Sequence, residues 1–159
     1  MSSNMKMDEW EDIYNAEAEF LYRFIYGMVQ DRNEADDILQ ETFYRAIKHG
    51  KKGVKNIRAY LMRISRNIIY DKWRRRKREE GKAIQIEERD TMAEERIEIE
   101  RAIQKLSPEY REVFILREMN GLNYEEISQS LNIPIGTVKS RLNRARLELR
   151  ETLRRKLEL

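Results

Sequence analysis

Apolar side chains recur at threes and fours along most of the chain, and no run alternates apolar and polar positions for long. That pattern predicts helices and almost no strand. Residues 8–29 read as one helix, with Trp10, Ile13, Tyr14, Phe20, Leu21, Phe24, Ile25 and Met28 on the packed side and Glu9, Asp12, Glu19 and Arg23 opposite. A loop, 30–33, ends on Asn33 as the expected N-cap of a second helix over about 34–48. Ala35, Ile38, Leu39, Thr42, Phe43, Ala46 and Ile47 give that helix its packed side. After a Gly- and Lys-rich connection, Asn56 can cap a third helix of about 57–78, buried through Ile57, Leu61, Ile64 and Ile68. Residues 79–96 lack firm periodicity and read as an exposed linker. A helix over 97–105 follows, and then one capped by Ser107 with Pro108 at its first position.

The last third carries the sharpest local signal. Gly121 can end one helix, and Asn123 can cap the next, with Glu126 three residues on as in a capping box. Leu131-Asn132-Ile133-Pro134 then breaks the chain before a longer basic helix. Short helix, tight turn and long helix make a helix-turn-helix. At about 100° per residue, Val138, Leu142, Ala145 and Leu149 share a narrow arc, the expected buried face. Ser140, Asn143 and Arg144 lie opposite, with Thr137 and Lys139 on the flanks; Leu147 also falls on the outer side, where it does not fit. Arg and Lys can donate to guanine edges, Asn can pair with adenine, and Ser can do either. The fold expected is all-α: two small helical domains, 1–80 and 97–159, joined by a flexible linker over 81–96, the second a four-helix helix-turn-helix domain.

Composition removes several classes of function. There is no Cys and a single His, His49, so a thiolate metal site and a disulfide framework are excluded and no metal centre is expected. No apolar run approaches the roughly 20 residues of a membrane span, and the N-terminus lacks a signal-peptide pattern; a cytoplasmic protein is expected. No Gly-rich phosphate loop and no nucleophile–base constellation stands out, so neither a cofactor nor catalysis is expected. The net charge of +3 conceals strong segregation: −7 over 1–47, +12 over 48–78, −6 over 79–100, −1 over 101–135 and +5 over 136–159. Two basic blocks separated by acidic ones point to two polyanion contacts on one chain.

The first basic block has its own face. Tyr60, Arg63, Asn67, Tyr70 and Arg74 are spaced three, four, three, four and share one side of the third helix. Rings that stack on bases, interleaved with cations and an amide, suit single-stranded nucleic acid; from spacing alone, Tyr60 and Tyr70 could equally edge the core. Trp73-Arg74-Arg75-Arg76-Lys77-Arg78 ends the helix as a phosphate-binding run. Asp36, Asp37, Gln40, Glu41 and Arg45 line the outer side of the second helix, and this strip fits either a solvated face or a docking surface.

With these residues in view, the chain resembles the extracytoplasmic-function group of bacterial sigma factors, within the sigma-70 family. The resemblance runs over nearly the whole chain: Glu34 to Phe43, Ala59 to Asn67 with Asp71 and the Arg run, Leu106-Ser107-Pro108 through Phe114, Gly121 to Ile127, and Gly136 to Leu142. It implies a transcription initiation factor with two helical domains that clamp onto core RNA polymerase. Asp37, Gln40 and Glu41 would bind the polymerase's largest-subunit coiled coil. Tyr60, Arg63, Asn67, Tyr70, Trp73, Arg74 and Arg75 would recognise and help open the minus-ten element. Tyr124, Thr137, Lys139, Ser140, Arg141, Asn143, Arg144 and Arg146 would serve the minus-thirty-five element. Control would come from an anti-sigma factor, without the N-terminal autoinhibitory region of larger sigma factors. Tyr60 stands where the family often has Trp, which keeps a stacking ring. Asn132 replaces a common Gly, and Asn tolerates the left-handed conformation. Asn143 occupies a variable position, so the promoter sequence does not carry over. Two other readings fit parts of the chain: a helix-turn-helix regulator acting without polymerase, which leaves 34–78 unexplained, and a helical adaptor whose basic runs are merely solvated.

Overall fold

A computed structural model describes residues 3–80 and 94–157; its regular structure is all helix, with no strand among those residues. Of the expected linker, only 94–96 are described, as the start of a helix. The first half holds α1 (Ser3–Val29), α2 (Arg32–His49) and α3 (Ile57–Glu80). The second holds α4 (Glu94–Lys105), α5 (Pro108–Phe114), α6 (Tyr124–Leu131) and α7 (Ile135–Leu157), and α5 continues as a π-helical turn over Ile115–Met119.

α1 and α2 form an antiparallel hairpin, because only two residues separate them. Gln30 takes φ 52° and donates its backbone N–H to the Tyr26 carbonyl, a left-handed stop of the kind that ends many helices. The cap of α2 is Asp31, not the expected Asn33: Asp31 is extended (φ −138°) and its Oδ1 accepts from the Glu34 amide at 3.0 Å. Asn56 caps α3 as expected, accepting from the Ala59 amide at 3.1 Å. The Thr42 and Ser65 hydroxyls, both wholly buried, share a hydrogen bond across α2 and α3 at 3.1 Å, and each also lies within hydrogen-bond distance of a carbonyl of its own helix, Ile38 and Leu61 respectively. α1 is tied to α3 by Arg58, whose guanidinium lies 4.0 Å from the centre of the Phe20 ring and 2.7 Å from Glu17.

In the second half, Pro108 opens α5, but the Ser107 side chain makes no cap hydrogen bond; its carbonyl accepts from Tyr110 and Arg111 instead. The helix-turn-helix forms as its residues predict. Asn123 and Glu126 complete a reciprocal capping box at 2.8 and 3.0 Å, and Asn132 ends α6 in the left-handed region at φ 55°, ψ 50°. Val138, Leu142, Ala145 and Leu149 are buried in one arc of α7, which packs against α4, α5 and α6. The buried apolar side chains of both halves, from Trp10 to Leu149, form one continuous cluster.

The caps and the arc have separable costs. Asn123→Ala should lower stability by about 1 kcal/mol, the usual loss for an N-cap. Leu142→Ala should lower it by about 2–5 kcal/mol through the cavity left behind. Urea midpoints of the two variants would check both figures, and the order between them.

Candidate nucleic-acid interface

The sequence-predicted stripe on α3 is partly open and partly covered. Arg63, Asn67 and Arg74 are exposed, whereas Tyr60 and Tyr70 are half-buried. Tyr60 donates its hydroxyl to the Gly50 carbonyl at 3.0 Å, which fixes its ring against the loop before the helix. Arg74 reaches Asp71 at 3.1 Å, one turn back on the same helix. Asp71, Arg74, Arg75 and Arg78 line an open hollow of about 200 Å³ near the end of α3, rimmed by three guanidinium groups. Exposed guanidinium groups of this kind suit phosphate oxygens, which they can grip with two parallel hydrogen bonds.

Tyr70 and Trp73 face the second half instead. Their rings meet edge to face, with centroids 5.6 Å apart. The Tyr70 hydroxyl donates to Glu112 Oε2 at 3.1 Å, and Arg66 grips the same carboxylate with two bonds of 2.8 and 3.0 Å. Glu112 is 1% exposed. Burial pulls the Arg66 guanidinium down, but the hydrogen bond and charge of Glu112 outweigh it, so its pKa lies above the ordinary value. Burial, reinforced by the same carboxylate, raises the Tyr70 phenol. Arg111 lies 5.1 Å from the centre of the Trp73 ring and donates to the carbonyls of Met28, Gln104 and Leu106. Burial holds its pKa down to about 10, still well above neutrality, so its charge is spread over three carbonyls and a ring. Arg66, Arg111 and Glu112 carry no signal in local periodicity, because their partners lie 83 and 46 residues away.

On α2, Asp37 and Gln40 are exposed, and Glu41 is half-exposed, accepting from Arg45 at 2.9 Å one turn on. The three therefore form one accessible polar strip. It lies opposite the packed side of Ile38, Leu39 and Thr42.

α7 presents the expected outer face. Lys139, Ser140, Asn143 and Arg144 are exposed, and Thr137 and Arg141 are half-buried at its sides. Ser140 donates back to the Thr137 carbonyl at 3.1 Å, and Arg144 reaches Glu148 at 3.2 Å, both exposed local contacts that a ligand can displace. Tyr124, at the start of α6, lies between two cations, Arg117 at 5.3 Å and Lys139 at 6.0 Å from its ring centre. Arg146 is tied to Glu118 at 2.8 Å, and that hydrogen bond raises its pKa. Glu118 and Arg117 were not among the sequence-predicted residues. Leu147 is 56% exposed, the apolar residue that the helical arc places on the outer side.

Known proteins resemble both halves. The family model described as sigma-70 region 2 matches residues 13–79, and that described as sigma-70 region 4 matches 96–149. The extracytoplasmic-function RNA polymerase sigma factor SigW of Bacillus subtilis is 32% identical, over 92% of this chain and 90% of its own length. SigE of Mycolicibacterium smegmatis is likewise 32% identical, but the match spans 92% of this chain and only 62% of that longer protein. Among solved structures, the sigma factor RpoE from Bartonella quintana, in complex with the anti-sigma factor NepR, superposes with a TM-score of 0.71 at 28% identity, covering 91% of this chain and 98% of that one. Two sigma regions in order, on two helical groups with basic outer faces, leave one conclusion: the chain belongs to the extracytoplasmic-function group of the sigma-70 family.

Proposed function

We infer that this chain is a transcription initiation factor that binds core RNA polymerase and directs it to specific promoters. The observation that carries this is the pairing of two regions, each with its own basic outer face, in one chain of the sigma family. A helix-turn-helix regulator acting alone would have no use for the exposed Asp37–Gln40–Glu41 strip and the α3 stripe together. Asp37, Gln40 and Glu41 form the polymerase contact. Tyr60, Arg63, Asn67, Tyr70, Trp73, Arg74 and Arg75 form the minus-ten face, and the hollow beside Arg74 holds backbone phosphate. Tyr124, Thr137, Lys139, Ser140, Arg141, Asn143, Arg144 and Arg146 form the minus-thirty-five face. Among the described residues no helix is long and apolar enough to cross a membrane, which agrees with work on chromosomal DNA in the cytoplasm. An anti-sigma factor is the partner that would restrain it. Run-off transcription with purified core polymerase, from a pooled library of random upstream sequences, tests the reading; no enrichment of any upstream sequence would overturn it.

Three sets of substitutions test the faces separately. Charge reversal at Asp37 together with Gln40→Ala should weaken co-purification with core polymerase while the circular-dichroism spectrum stays native. Asn67→Ala and Tyr60→Ala should reduce permanganate-reactive thymines in the promoter more than they reduce duplex binding. The loss from Tyr60→Ala should be about 1–3 kcal/mol if its ring stacks on a base. Arg144→Ala should cost about 1–3 kcal/mol and relax preference at one promoter position. Arg146→Ala should weaken all sequences about equally and flatten the salt dependence by about one unit of slope. A binding matrix over promoter variants, with a salt titration for each mutant, separates those two outcomes.

A further inference from the structure

We propose that Glu118 is a positioning residue of the minus-thirty-five face: its carboxylate holds the Arg146 guanidinium beside Tyr124, in place for a backbone phosphate of the promoter. The proposal deepens the promoter reading above and rests on it. Three observations carry it.

First, the pair joins two elements. Arg146 Nη2 donates to Glu118 Oε1 at 2.8 Å, from α7 to the π-helical turn, across 28 residues of sequence. The acid that meets Arg144 is different in kind: Glu148 lies on α7 itself, one turn on. A contact within one helix moves with that helix. Glu118 instead fixes its guanidinium against the body of the domain. No acid occurs in α7 before Glu148, so the carboxylate against Arg146 is brought in from outside the helix. Second, the turn that carries Glu118 is itself anchored. Arg117 Nη1 donates to the Leu122 carbonyl and the Leu122 amide to the Leu116 carbonyl, both at 3.0 Å. Ile115, Leu116 and Leu122 are buried beneath it. Third, cations gather around one ring at this point. Lys139 and Arg146 are seven residues apart, so they share one side of α7. Tyr124, the first residue of α6, has Lys139 at 6.0 Å and Arg117 at 5.3 Å from its ring centre. The bond to Glu118 is the main cause that raises the Arg146 pKa, and Tyr124 raises it further, so the phenol acts on the same guanidinium.

A carboxylate beside a phosphate site has two opposed effects. It repels the phosphate, but the Arg146 and Glu118 side chains are 41% and 44% exposed, so water weakens that repulsion. It also orders a long side chain in advance. Immobilising one such side chain during binding costs roughly two- to tenfold in affinity, and a residue already held is spared most of that loss. The guanidinium carries five N–H donors, of which Glu118 Oε1 takes one. It can therefore grip a phosphate oxygen without releasing the acid. Ordering outweighs repulsion here. The salt dependence of binding counts the phosphates neutralised. Arg146 neutralises its phosphate whether or not it is ordered first, so Glu118 changes affinity and leaves that slope alone.

The test compares Glu118→Ala, Glu118→Gln, Arg146→Ala and the double variant Glu118→Ala with Arg146→Ala, each as the full chain assembled on core polymerase. The probe is a fluorescein-labelled duplex that carries the upstream sequence enriched in the run-off selection and stops short of the minus-ten element. Binding is titrated over a range of salt. Glu118→Ala should weaken it by about fivefold, with the salt slope kept. Arg146→Ala should lose about one unit of slope. Glu118→Gln, whose amide oxygen still accepts, should recover most of the affinity. The double variant should bind no more weakly than Arg146→Ala alone, because Glu118 acts through Arg146. Tighter binding by both Glu118 variants would mean that the carboxylate only repels DNA, and would overturn the proposal. A loss from Glu118→Ala that persists undiminished in the Arg146→Ala background would also overturn it, since the effect would then lie in the fold. Both results leave the minus-thirty-five assignment standing. If Arg146→Ala changes neither affinity nor slope, the assignment of Arg146 to that face falls, and the positioning role with it.

Discussion

A carboxylate withdrawn from water must find partners, and the way Glu112 finds them shapes the centre of this molecule. Its two oxygens accept from Arg66 and Tyr70, which belong to a helix 42 and 46 residues earlier in the chain. The neighbouring Arg111 faces the same problem with the opposite sign and solves it with carbonyls of α1 and of the α4–α5 turn. Adjacent residues of opposite charge thus look to two different helices of the first half. Desolvation makes each contact expensive to lose singly, so they hold or fail together. The apolar packing around them, from Met28 to Ile115, belongs to one continuous cluster. It supplies area but little direction; the charged groups set the angle at which the halves meet.

This arrangement places the functional faces in different circumstances. The Asp37–Gln40–Glu41 strip on α2, proposed above as the polymerase contact, and the outer side of α7 are open to any partner. The α3 stripe is divided along its length, with its middle and its basic tip exposed and its rings turned inward. A chain of this family has to meet a protein and two stretches of DNA, and order among those encounters is useful.

Much of this was legible in the sequence, and the exceptions have physical causes. The helices were legible because burial on one side of a helix imposes a period of 3.6 residues, and the capping box at Asn123 because its two partners are three residues apart. The buried arc of α7 followed from the same period, down to the misfit at Leu147. The start of α2 was misread because Asp31 and Asn33 are both good caps, and only the extended backbone at Asp31 decides between them. The inward turn of Tyr70 was one of two readings that spacing left open. What settles its position is a carboxylate in another half of the molecule, which no local pattern reports. Glu118 beside Arg146 escaped for the same reason, being 28 residues away in sequence.

The π-helical turn at Ile115–Met119 has a further meaning. Its wider turn closes on the Asn120 amide, which bonds to the Ile115 carbonyl five residues back, where an α-helix would reach back four. One residue more than a regular helix needs is thereby accommodated, and everything after it is rotated by about 100° relative to everything before it. Ahead of the turn stand Arg111 and Glu112, and at its first residue Ile115, all of which face the first half. Later within it stand Arg117 and Glu118, which face α6 and α7. The bulge acts as a phase shifter between two surfaces that share one helix. Evolution can then re-tune either surface by ordinary substitution, but a one-residue deletion here would swing both out of alignment at once.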